Sequence, residues 1–170
     1  KRQSLDAMGG DNAPQIIVDG AKQTKIRHPY VKFSFYGNKT KLLPLISSSE
    51  VLKESEIVHT DEFIDANEKP SIAVRKGRNS SMGMAIQSVK SGKADAIVSA
   101  GNTGALMAMA KLFLRPIEGI NRPAIAAYFP TITGESCMLD LGANIDCDAK
   151  NLVQFAFMGQ AFANIVMGVD

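Results

Sequence analysis

The sequence contains little of what marks several classes of protein. It has no tryptophan, two cysteines and two histidines, and 6% of its 170 residues are aromatic. Cys137 and Cys147 have no CxxC spacing and no flanking histidines, so we expect reduced thiols rather than a disulfide or a metal pair. Nineteen basic and seventeen acidic residues leave a formal charge of +2. That balance, without a basic stripe and interleaved aromatics, argues against nucleic acid as a partner.

Long apolar runs are missing as well. The chain has no stretch of about 18 apolar residues. It opens with Lys1-Arg2-Gln3-Ser4, which does not resemble a signal peptide. The composition, 45% hydrophobic and 21% charged, is typical of a folded globular protein. We therefore expect a single cytoplasmic domain over residues 1–170.

What the sequence does contain is an alternation of strand and helix patterns. Apolar and polar residues alternate over 31–37, as in a half-buried strand, and further strands are predicted at the tail of "SLDA", over 57–59 and over 94–99. Helices are predicted from Pro14, around Pro44, from Pro70 to Lys76, after Ser80 or Ser81, and over 103–114. This order predicts an α/β fold: an open, mostly parallel sheet with helices on both faces.

The last third of the chain departs from that order. Strands over 123–129 and 136–141 are separated only by "PTITGE", which is too short for a helical crossover. We expect an antiparallel hairpin attached to the parallel sheet, which makes the sheet mixed. A final helix is predicted from Ala149 to Val166.

Ligands of open α/β sheets bind beyond the carboxyl ends of the strands, and "DAMGGDNAP", residues 6–14, occupies such a position. Gly9 and Gly10 allow the backbone to approach a ligand closely. Asp11 and Asn12 can cap the helix that Pro14 begins. The pattern fits a ligand-binding loop and a capped glycine turn equally.

A second segment, "SAGNTGALMA", covers residues 99–108 at the start of a helix. Gly101 and Gly104 keep the turn free of side chains, while Asn102 and Thr103 offer donors. The free N–H groups and positive dipole end of the helix suit an anion, above all phosphate. The segment is neither a Walker loop nor GxGxxG. A tight turn without a ligand remains the alternative.

A third segment, "RKGRNSSM", covers residues 75–82. Arg75, Lys76 and Arg78 precede Ser80 and Ser81 at a predicted helix start. A solvated basic loop with a serine cap is the ordinary interpretation. Beside the Gly-Asn-Thr-Gly turn, the same residues can close over a phosphate or an acidic partner.

Two weaker candidates complete the set. "LGANIDCD", residues 141–148, offers Asn144 and Asp146 at another strand end, with Asp148 as a helix cap. His59 is either a general base or a structural histidine. No Ser/His/Asp order, Cys/His pair or metal-ligand cluster occurs. If the protein is an enzyme, we expect it to work by positioning and electrostatics, with no covalent intermediate and no metal.

Several of these segments occur together, in the order "DAMGGDNAP", "EKPSIAVRKGRNSSM", "GKADAIVSAGNTGALMA", "GINRPAIAAYFPT" and "LDLGANIDC". In this order they resemble the PlsX family of phosphate acyltransferases, from Asp6 to about Gly168. The resemblance implies transfer of a long-chain acyl group from acyl carrier protein to inorganic phosphate. The acyl-phosphate then passes to the membrane acyltransferase PlsY in bacterial phospholipid synthesis.

The resemblance also implies an isocitrate/isopropylmalate dehydrogenase-like fold and a homodimer, without metal or nucleotide cofactor. The protein is expected in the cytoplasm, with a peripheral place at the membrane. Family members are about twice as long, which makes this chain their N-terminal half. They also open on a β-branched strand, where this chain has "KRQSL".

The resemblance assigns expected roles to the candidate residues. Asp6, Asp11 and Asp146 are expected to orient donors. The catalytic candidates are Lys76, Ser81, Asn102 and His59. The phosphate- or substrate-binding candidates are Gly9, Gly10, Asp11, Asn12, Ser80, Gly101, Thr103, Gly104, Asn144 and Asp146. Arg75 and Arg78 are the candidates for docking the acidic carrier protein.

Two other functions stay open from the sequence. The chain can be a non-catalytic half that binds phosphate or carrier protein. It can also be a dehydrogenase of the same fold, although that reaction needs an arginine-rich site and metal-binding aspartates. Asp140, Asp146 and Asp148 are the aspartates in suitable loops, and no arginine triplet lies near them.

Overall fold

Residues 1–168 are described by a computed structural model, in which the chain divides into two units, Lys1–Arg115 and Pro116–Asp170. Four strands form the sheet of the first unit: β1 (Arg2–Asp6), β2 (Lys32–Gly37), β3 (Glu56–His59) and β4 (Ala96–Val98). Their order is β3-β2-β1-β4, and each neighbouring pair is parallel. The predicted α/β architecture with parallel strands is confirmed.

Five helices accompany this sheet: α1 (Gln15–Arg27), α2 (Lys39–Ser47), α3 (Pro70–Lys76), α4 (Ser81–Lys90) and α5 (Thr103–Leu114). Leu5, Phe33 and Phe35 form one buried cluster with residues of α1 and α2. The side chain of Ser4 points to the other face, where its Oγ donates to the carbonyl oxygen of Ala85 in α4. Helices therefore cover both faces, as the alternating side chains of a strand require.

The first strand begins at Arg2 although Arg2 and Gln3 are polar. The Arg2 guanidinium spans the sheet, donating to Glu56 at 2.9 Å and to Ser34 Oγ at 3.0 Å. This pairing explains why a polar opening is compatible with the strand at the centre of the sheet.

The start of α1 differs from the prediction. Its cap residue is Pro14, without a side-chain hydrogen bond, so neither Asp11 nor Asn12 caps the helix. The carbonyl oxygen of Asn12 instead accepts from the amide of Ile16 at 3.2 Å. A backbone turn thus replaces the predicted side-chain cap.

The second unit contains the hairpin of β5 (Ala126–Thr131) and β6 (Gly134–Leu139), then α6 (Ala149–Phe162) and a π-helical turn, Ala163–Met167. The hairpin is antiparallel, as predicted. Within residues 1–168 it forms a two-stranded sheet of its own, so the prediction that it extends the parallel sheet is wrong. A short turn closes the hairpin locally, and its strands pair with each other. The described part of the chain contains no helix long and apolar enough to cross a bilayer.

Candidate functional site

The carboxyl ends of β1 and β4 meet the start of α4 at one edge of the sheet. Asp6, the last residue of β1, is 1% exposed. Its Oδ1 accepts a hydrogen bond from Ser81 Oγ at 2.5 Å, and its Oδ2 accepts one from Ser99 Oγ at 2.7 Å. Ser81 begins α4, and Ser99 directly follows β4. One buried carboxylate therefore connects three elements.

Two glycines of the β1–α1 loop fit closely against the turn after β4. A Cβ at Gly9 would lie 3.0 Å from Ser99 Oγ and closer still to the Asp6 carboxylate. Gly10 has a φ of +99°, and a Cβ there would lie 2.8 Å from the carbonyl oxygen of Ala100. Space and backbone conformation both require glycine here. Asp11 and Asn12 follow on the exposed part of the same loop.

Helix α5 begins directly behind this contact. Asn102 is its N-cap, and its Oδ1 accepts from the amide of Ala105 at 2.9 Å. Thr103 and Gly104 form the first turn and are exposed. Amides in a first turn have no carbonyl partner within the helix, and they lie at the positive end of its dipole. The turn therefore offers two backbone donors to an anion.

The side-chain amide of Asn102 is used inside the protein. Its Nδ2 donates to the carbonyl oxygens of Ala66 at 3.0 Å and Glu68 at 2.8 Å, with a longer contact of 3.4 Å to that of Asp65. These carbonyls belong to the polar loop between β3 and α3. The structure places Asn102 at the predicted turn, and both ends of its side chain hold protein groups together there. Its catalytic role stays a prediction.

Ser80 and Ser81 are also engaged with protein groups. Ser80 caps α4, as the sequence predicts: its Oγ accepts from the amide of Gly83 at 3.1 Å and donates to the carbonyl oxygen of Gly77 at 2.6 Å. Ser81 donates to Asp6. Both serines are buried near the turn, and each hydroxyl proton already has an acceptor in the protein.

The basic residues lie at the far end of a short helix. Arg75 and Lys76 are in the last turn of α3, and Arg78 is in the 3₁₀ turn that follows. All three are exposed, and none forms an ion pair within residues 1–168. Pro70, which begins α3, lies beside Gly104. Seven helical residues span about 10 Å, so the three cations lie roughly that far along the helix from the turn.

His59 belongs to a different group of side chains. It ends β3, two strands away from β1 in the sheet. Its Nδ1 accepts from the amide of Lys39 at 3.2 Å, and its Nε2 lies 3.5 Å from Asp61 Oδ2. Because Nδ1 is an acceptor, the proton of the neutral ring is on Nε2. The structure therefore does not place His59 beside Asp6.

In the second unit, Asn144 lies in a loop organised by Asp140. The Asp140 carboxylate accepts from the amides of Ile125 and Asn144, both at 2.7 Å, and from Asn144 Nδ2 at 2.9 Å. Partial burial by itself raises the pKa of Asp140. The hydrogen bonds from Ile125, Asn144 and Ala143 together outweigh that effect, so the pKa is lowered from its ordinary value. Asn144 Nδ2 also donates to the carbonyl oxygen of Pro123 at 2.9 Å, so Asn144 connects this loop to the segment before β5.

The rest of that loop is explained by helix capping. Asp146 is exposed, and its carbonyl oxygen accepts from Arg122 at 3.0 Å. Asp148 Oδ1 accepts from the amide of Asn151 at 2.7 Å, and Asn151 Oδ1 accepts from the amide of Asp148 at 3.3 Å. This reciprocal pair is a capping box for α6. The interpretation of Asp148 as a helix cap is confirmed.

A groove of about 750 Å³ runs between β6, the following loop and α6 in the second unit. Its walls include Cys137, Cys147, Asp140 and Phe155. Both cysteines are free thiols. Among residues 1–168, no three His, Cys, Asp or Glu side chains are grouped in a way that could hold a metal ion.

Two features of the first unit escape the sequence reasoning. One is Ser99. It directly follows a predicted strand, and the pairing of that strand with β1 is the signal that could have identified it. The other is the set of backbone carbonyls held by Asn102, which has no sequence signal because any residue supplies a carbonyl.

Comparison with known proteins identifies the family to which the chain belongs. A family model described as "Fatty acid synthesis protein" matches residues 2–170. The chain is 53% identical over 167 residues to the phosphate acyltransferase of Rhodospirillum centenum, covering 98% of this chain and 47% of that protein. It is 52% identical over 169 residues to that of Parvibaculum lavamentivorans, covering 98% and 47%.

A third relative, the phosphate acyltransferase of Rhodospirillum rubrum, is 51% identical over 168 residues, covering 98% of this chain and 48% of that protein. The chain thus spans about half the length of the curated relatives it matches. The matched regions cover nearly the whole chain, the two glycine-bearing loops and the hairpin included. The chain belongs to the fatty acid synthesis protein family, the PlsX family.

Proposed function

We propose that this chain forms part of an enzyme that transfers a long-chain acyl group from acyl carrier protein to inorganic phosphate. The observation that carries the proposal is the exposed turn at the start of α5, built against the buried Asp6 and the β1–α1 loop. The relatives' name, phosphate acyltransferase, supplies the reaction.

The phosphate is proposed to bind the amides of Thr103 and Gly104. Both are exposed and lie at the positive end of a 12-residue helix. Glycines at 101 and 104 keep side chains away from the anion. Asn102 shapes the turn rather than donating to phosphate, because its Nδ2 is held by three carbonyls.

The chemistry then needs positioning more than acid–base groups. A phosphate oxygen attacks the thioester carbonyl carbon, the C–S bond breaks, and the carrier protein leaves as a thiolate that takes a proton from water. The products are acyl-phosphate and carrier protein with a free thiol. A dianionic phosphate oxygen needs no general base, so the one step left for the predicted catalytic residue His59 is to deliver the thiolate's proton in place of water. Donors aimed at the developing oxyanion lower the barrier.

The exposed cations give a place for the carrier protein. Arg75, Lys76 and Arg78 are clustered without acidic partners in the described chain, and carrier protein is acidic. We propose that these three residues, here called the basic cluster, dock the carrier protein. Of the three, Lys76 is also the proposed catalytic residue. Complementary charge of this kind raises the rate of encounter.

We infer the wider arrangement from the family resemblance. The sheet would belong to an isocitrate/isopropylmalate dehydrogenase-like fold, and this chain would be the N-terminal half. The other half would supply the rest of the cleft in a cytoplasmic homodimer that meets the membrane peripherally and passes acyl-phosphate to PlsY. The second function that the sequence leaves open is a non-catalytic half that binds phosphate and carrier protein.

One pair of variants tests the phosphate site. Thr103 is the first residue of α5, where proline is well accepted, and Asn102 has extended angles of φ −62° and ψ 108° that suit a following proline. Thr103→Pro removes the N–H donor and keeps the helix. Thr103→Ala keeps the N–H and removes the side chain. We expect Thr103→Pro to bind phosphate at least ~10-fold more weakly than Thr103→Ala, since a hydrogen bond to a charged group contributes about 1.5–3 kcal/mol.

The assay mixes the chain with palmitoyl-carrier protein and phosphate, without metal or nucleotide, and follows free thiol and acyl-phosphate. Phosphate-dependent release that falls in Thr103→Pro supports the enzyme. Saturable binding of phosphate and carrier protein without release supports the non-catalytic half. A chain that binds neither contradicts both.

A further inference from the structure

Asp6 is a buried carboxylate without a basic partner. It is 1% exposed, and no ion pair within residues 1–168 includes it. Its two oxygens accept from Ser81 and Ser99, which lie 75 and 93 residues further along the chain. Both oxygens already accept from protein hydroxyls and the side chain is buried, which argues against proton abstraction from a substrate. Its place in the fold indicates a different task.

The hydrogen bonds around Ser99 have a fixed direction. The Ser99 hydroxyl has one proton, and it is donated to Asp6 Oδ2. Toward the amide of Gly101, at 3.1 Å, Ser99 Oγ is therefore the acceptor. The chain of donors runs from Gly101 N–H to Ser99 O–H to the Asp6 carboxylate. A charged acceptor at its end strengthens both hydrogen bonds.

This chain of hydrogen bonds fixes residues 99–101, which directly precede the start of α5 and its proposed phosphate donors. Gly101 lies two residues before Thr103, whose amide is the first proposed phosphate donor. A Cβ at Gly101 would lie 3.1 Å from the Gly9 Cα, so the turn also packs against the β1–α1 loop. With the Gly101 amide held inside, the backbone entering α5 has one arrangement. A phosphate then meets donors that are already ordered, and binding loses less conformational entropy.

We propose that Asp6 is a positioning residue that orders the phosphate-binding turn through Ser99, without touching phosphate. The inference rests on the proposed phosphate site at Thr103 and Gly104. In this proposal, the affinity of that site for phosphate depends on a residue of β1, which does not itself belong to the site.

Three substitutions separate this role from general stability. Ser99→Ala removes the link between Asp6 and Gly101 and leaves the Ser81 hydrogen bond in place. Ser99→Thr keeps a hydroxyl at a strand end, where a β-branched residue is accepted. Asp6→Asn keeps the size and removes the charge. The matched control is Ser4→Ala in the same strand as Asp6: Ser4 is as buried as Asp6, and its Oγ lies 3.0 Å from the carbonyl oxygens of both Ala85 and Ala96, which share its one hydroxyl proton.

The measurement is a titration of the 170-residue chain with inorganic phosphate, followed by the amide NMR signals of Thr103 and Gly104. We expect saturable shifts in the original chain, a dissociation constant at least ~10-fold higher in Ser99→Ala, and recovery in Ser99→Thr. A tenfold change corresponds to about 1.4 kcal/mol. Ser4→Ala is expected to lower stability and leave the dissociation constant unchanged.

The outcomes are distinct. If the original chain binds phosphate and Ser99→Ala binds it equally well, the positioning role is wrong and the phosphate site stands. Equal weakening in Ser99→Ala and Ser4→Ala also overturns the positioning role, since general stability then explains both. If the original chain shows no phosphate-dependent shift at Thr103 and Gly104, the phosphate site and the positioning role both fail. Where Asp6→Asn does not fold, the two Ser99 variants decide.

Discussion

Three donors converge on the carboxylate of Asp140, and they make the stability of the second unit depend on pH. The pKa of Asp140 is lowered from its ordinary value of 3.8. A group with a lowered folded pKa contributes stability that is present above the unfolded pKa and is lost as the pH falls through the folded pKa. We expect this contribution to be present well above the ordinary pKa of the carboxyl group and to be lost as the pH falls below it, through the lowered folded pKa.

Asp140→Asn tests this at a single residue. At pH 7 the variant faces backbone amides with an NH₂ group and loses roughly 1–3 kcal/mol. The difference from the original chain is expected to shrink as the pH falls below about 4. The measurement is urea unfolding between pH 7 and pH 2.5, followed by the amide signal of Ile125. Asp146→Asn, in the same loop with an exposed side chain, is the control and should show little change. A pH-independent difference for Asp140→Asn would contradict the account.

At the residue scale, the sequence predicts where a polar side chain lies better than it predicts which groups that side chain binds. It finds Asn102 and Ser81, and both lie at the predicted sheet edge. Their partners are the carbonyls of the 65–68 loop and the carboxylate of Asp6. Such partners are distant in sequence, so only the folded chain shows that these polar groups bind one another.

At the scale of elements, Asn102 combines two functions that can be separated. Its Oδ1 caps α5, and its Nδ2 fastens the 65–68 loop. Asn102→Ser keeps a cap acceptor and removes the amide donor, whereas Asn102→Ala removes both. We expect faster hydrogen exchange at the amides of Asn67 and Glu68 in both variants. Only Asn102→Ala should loosen the first turn of α5, at a cost of about 1 kcal/mol.

Hydrogen exchange with mass spectrometry reads both segments in one experiment. The matched control is Asn38→Ser at the cap of α2. Asn38 Oδ1 accepts from Lys41 and its Nδ2 donates to Asp61, and in the described chain it forms no hydrogen bond with residues 65–68. Unchanged exchange at residues 65–68 in Asn102→Ser would mean that the hydrogen bonds from Asn102 Nδ2 do not stabilise this loop.

Helices with strong local signals are predicted well, and pairings between distant elements are not. Pro70 at a first turn and Ser80 at a cap give α3 and α4 their starts, both as the structure has them. The hairpin is recognised from its short connection. Whether it joins the larger sheet depends on backbone hydrogen bonds that no local pattern encodes, and there the prediction fails.

At the scale of the whole molecule, the basic cluster predicts a salt-dependent association. Replacing Arg75, Lys76 and Arg78 by Glu should raise the dissociation constant for carrier protein at least ~10-fold at low salt. The dependence of binding on salt should flatten, because exposed charges are screened over about 10 Å at 0.1 M. Titration calorimetry at several salt concentrations provides the measurement.

The control variant changes the same total charge elsewhere. Lys22, Lys41 and Lys90 are exposed on α1, α2 and α4, and their replacement by Glu gives the same net charge. If both triple variants bind carrier protein equally weakly, net charge rather than the basic cluster controls association. If neither variant weakens binding, the docking surface lies elsewhere.

The family is readable from the order of short motifs, and two of these motifs contain loop glycines that a side chain would displace, at Gly9, Gly10 and Gly101. The activity is less readable, since the chain spans about half of its relatives.

The long separation between Asp6 and its partners has a consequence for synthesis on the ribosome. Asp6 is synthesised 93 residues before Ser99. At about 5–20 residues per second, that interval lasts roughly 5–20 s. Throughout it, the strand at the centre of the sheet lacks its neighbour β4, and its carboxylate remains in water. The turn proposed to bind phosphate therefore forms late in the synthesis of the first unit, when β4 and Ser99 reach β1 and Asp6.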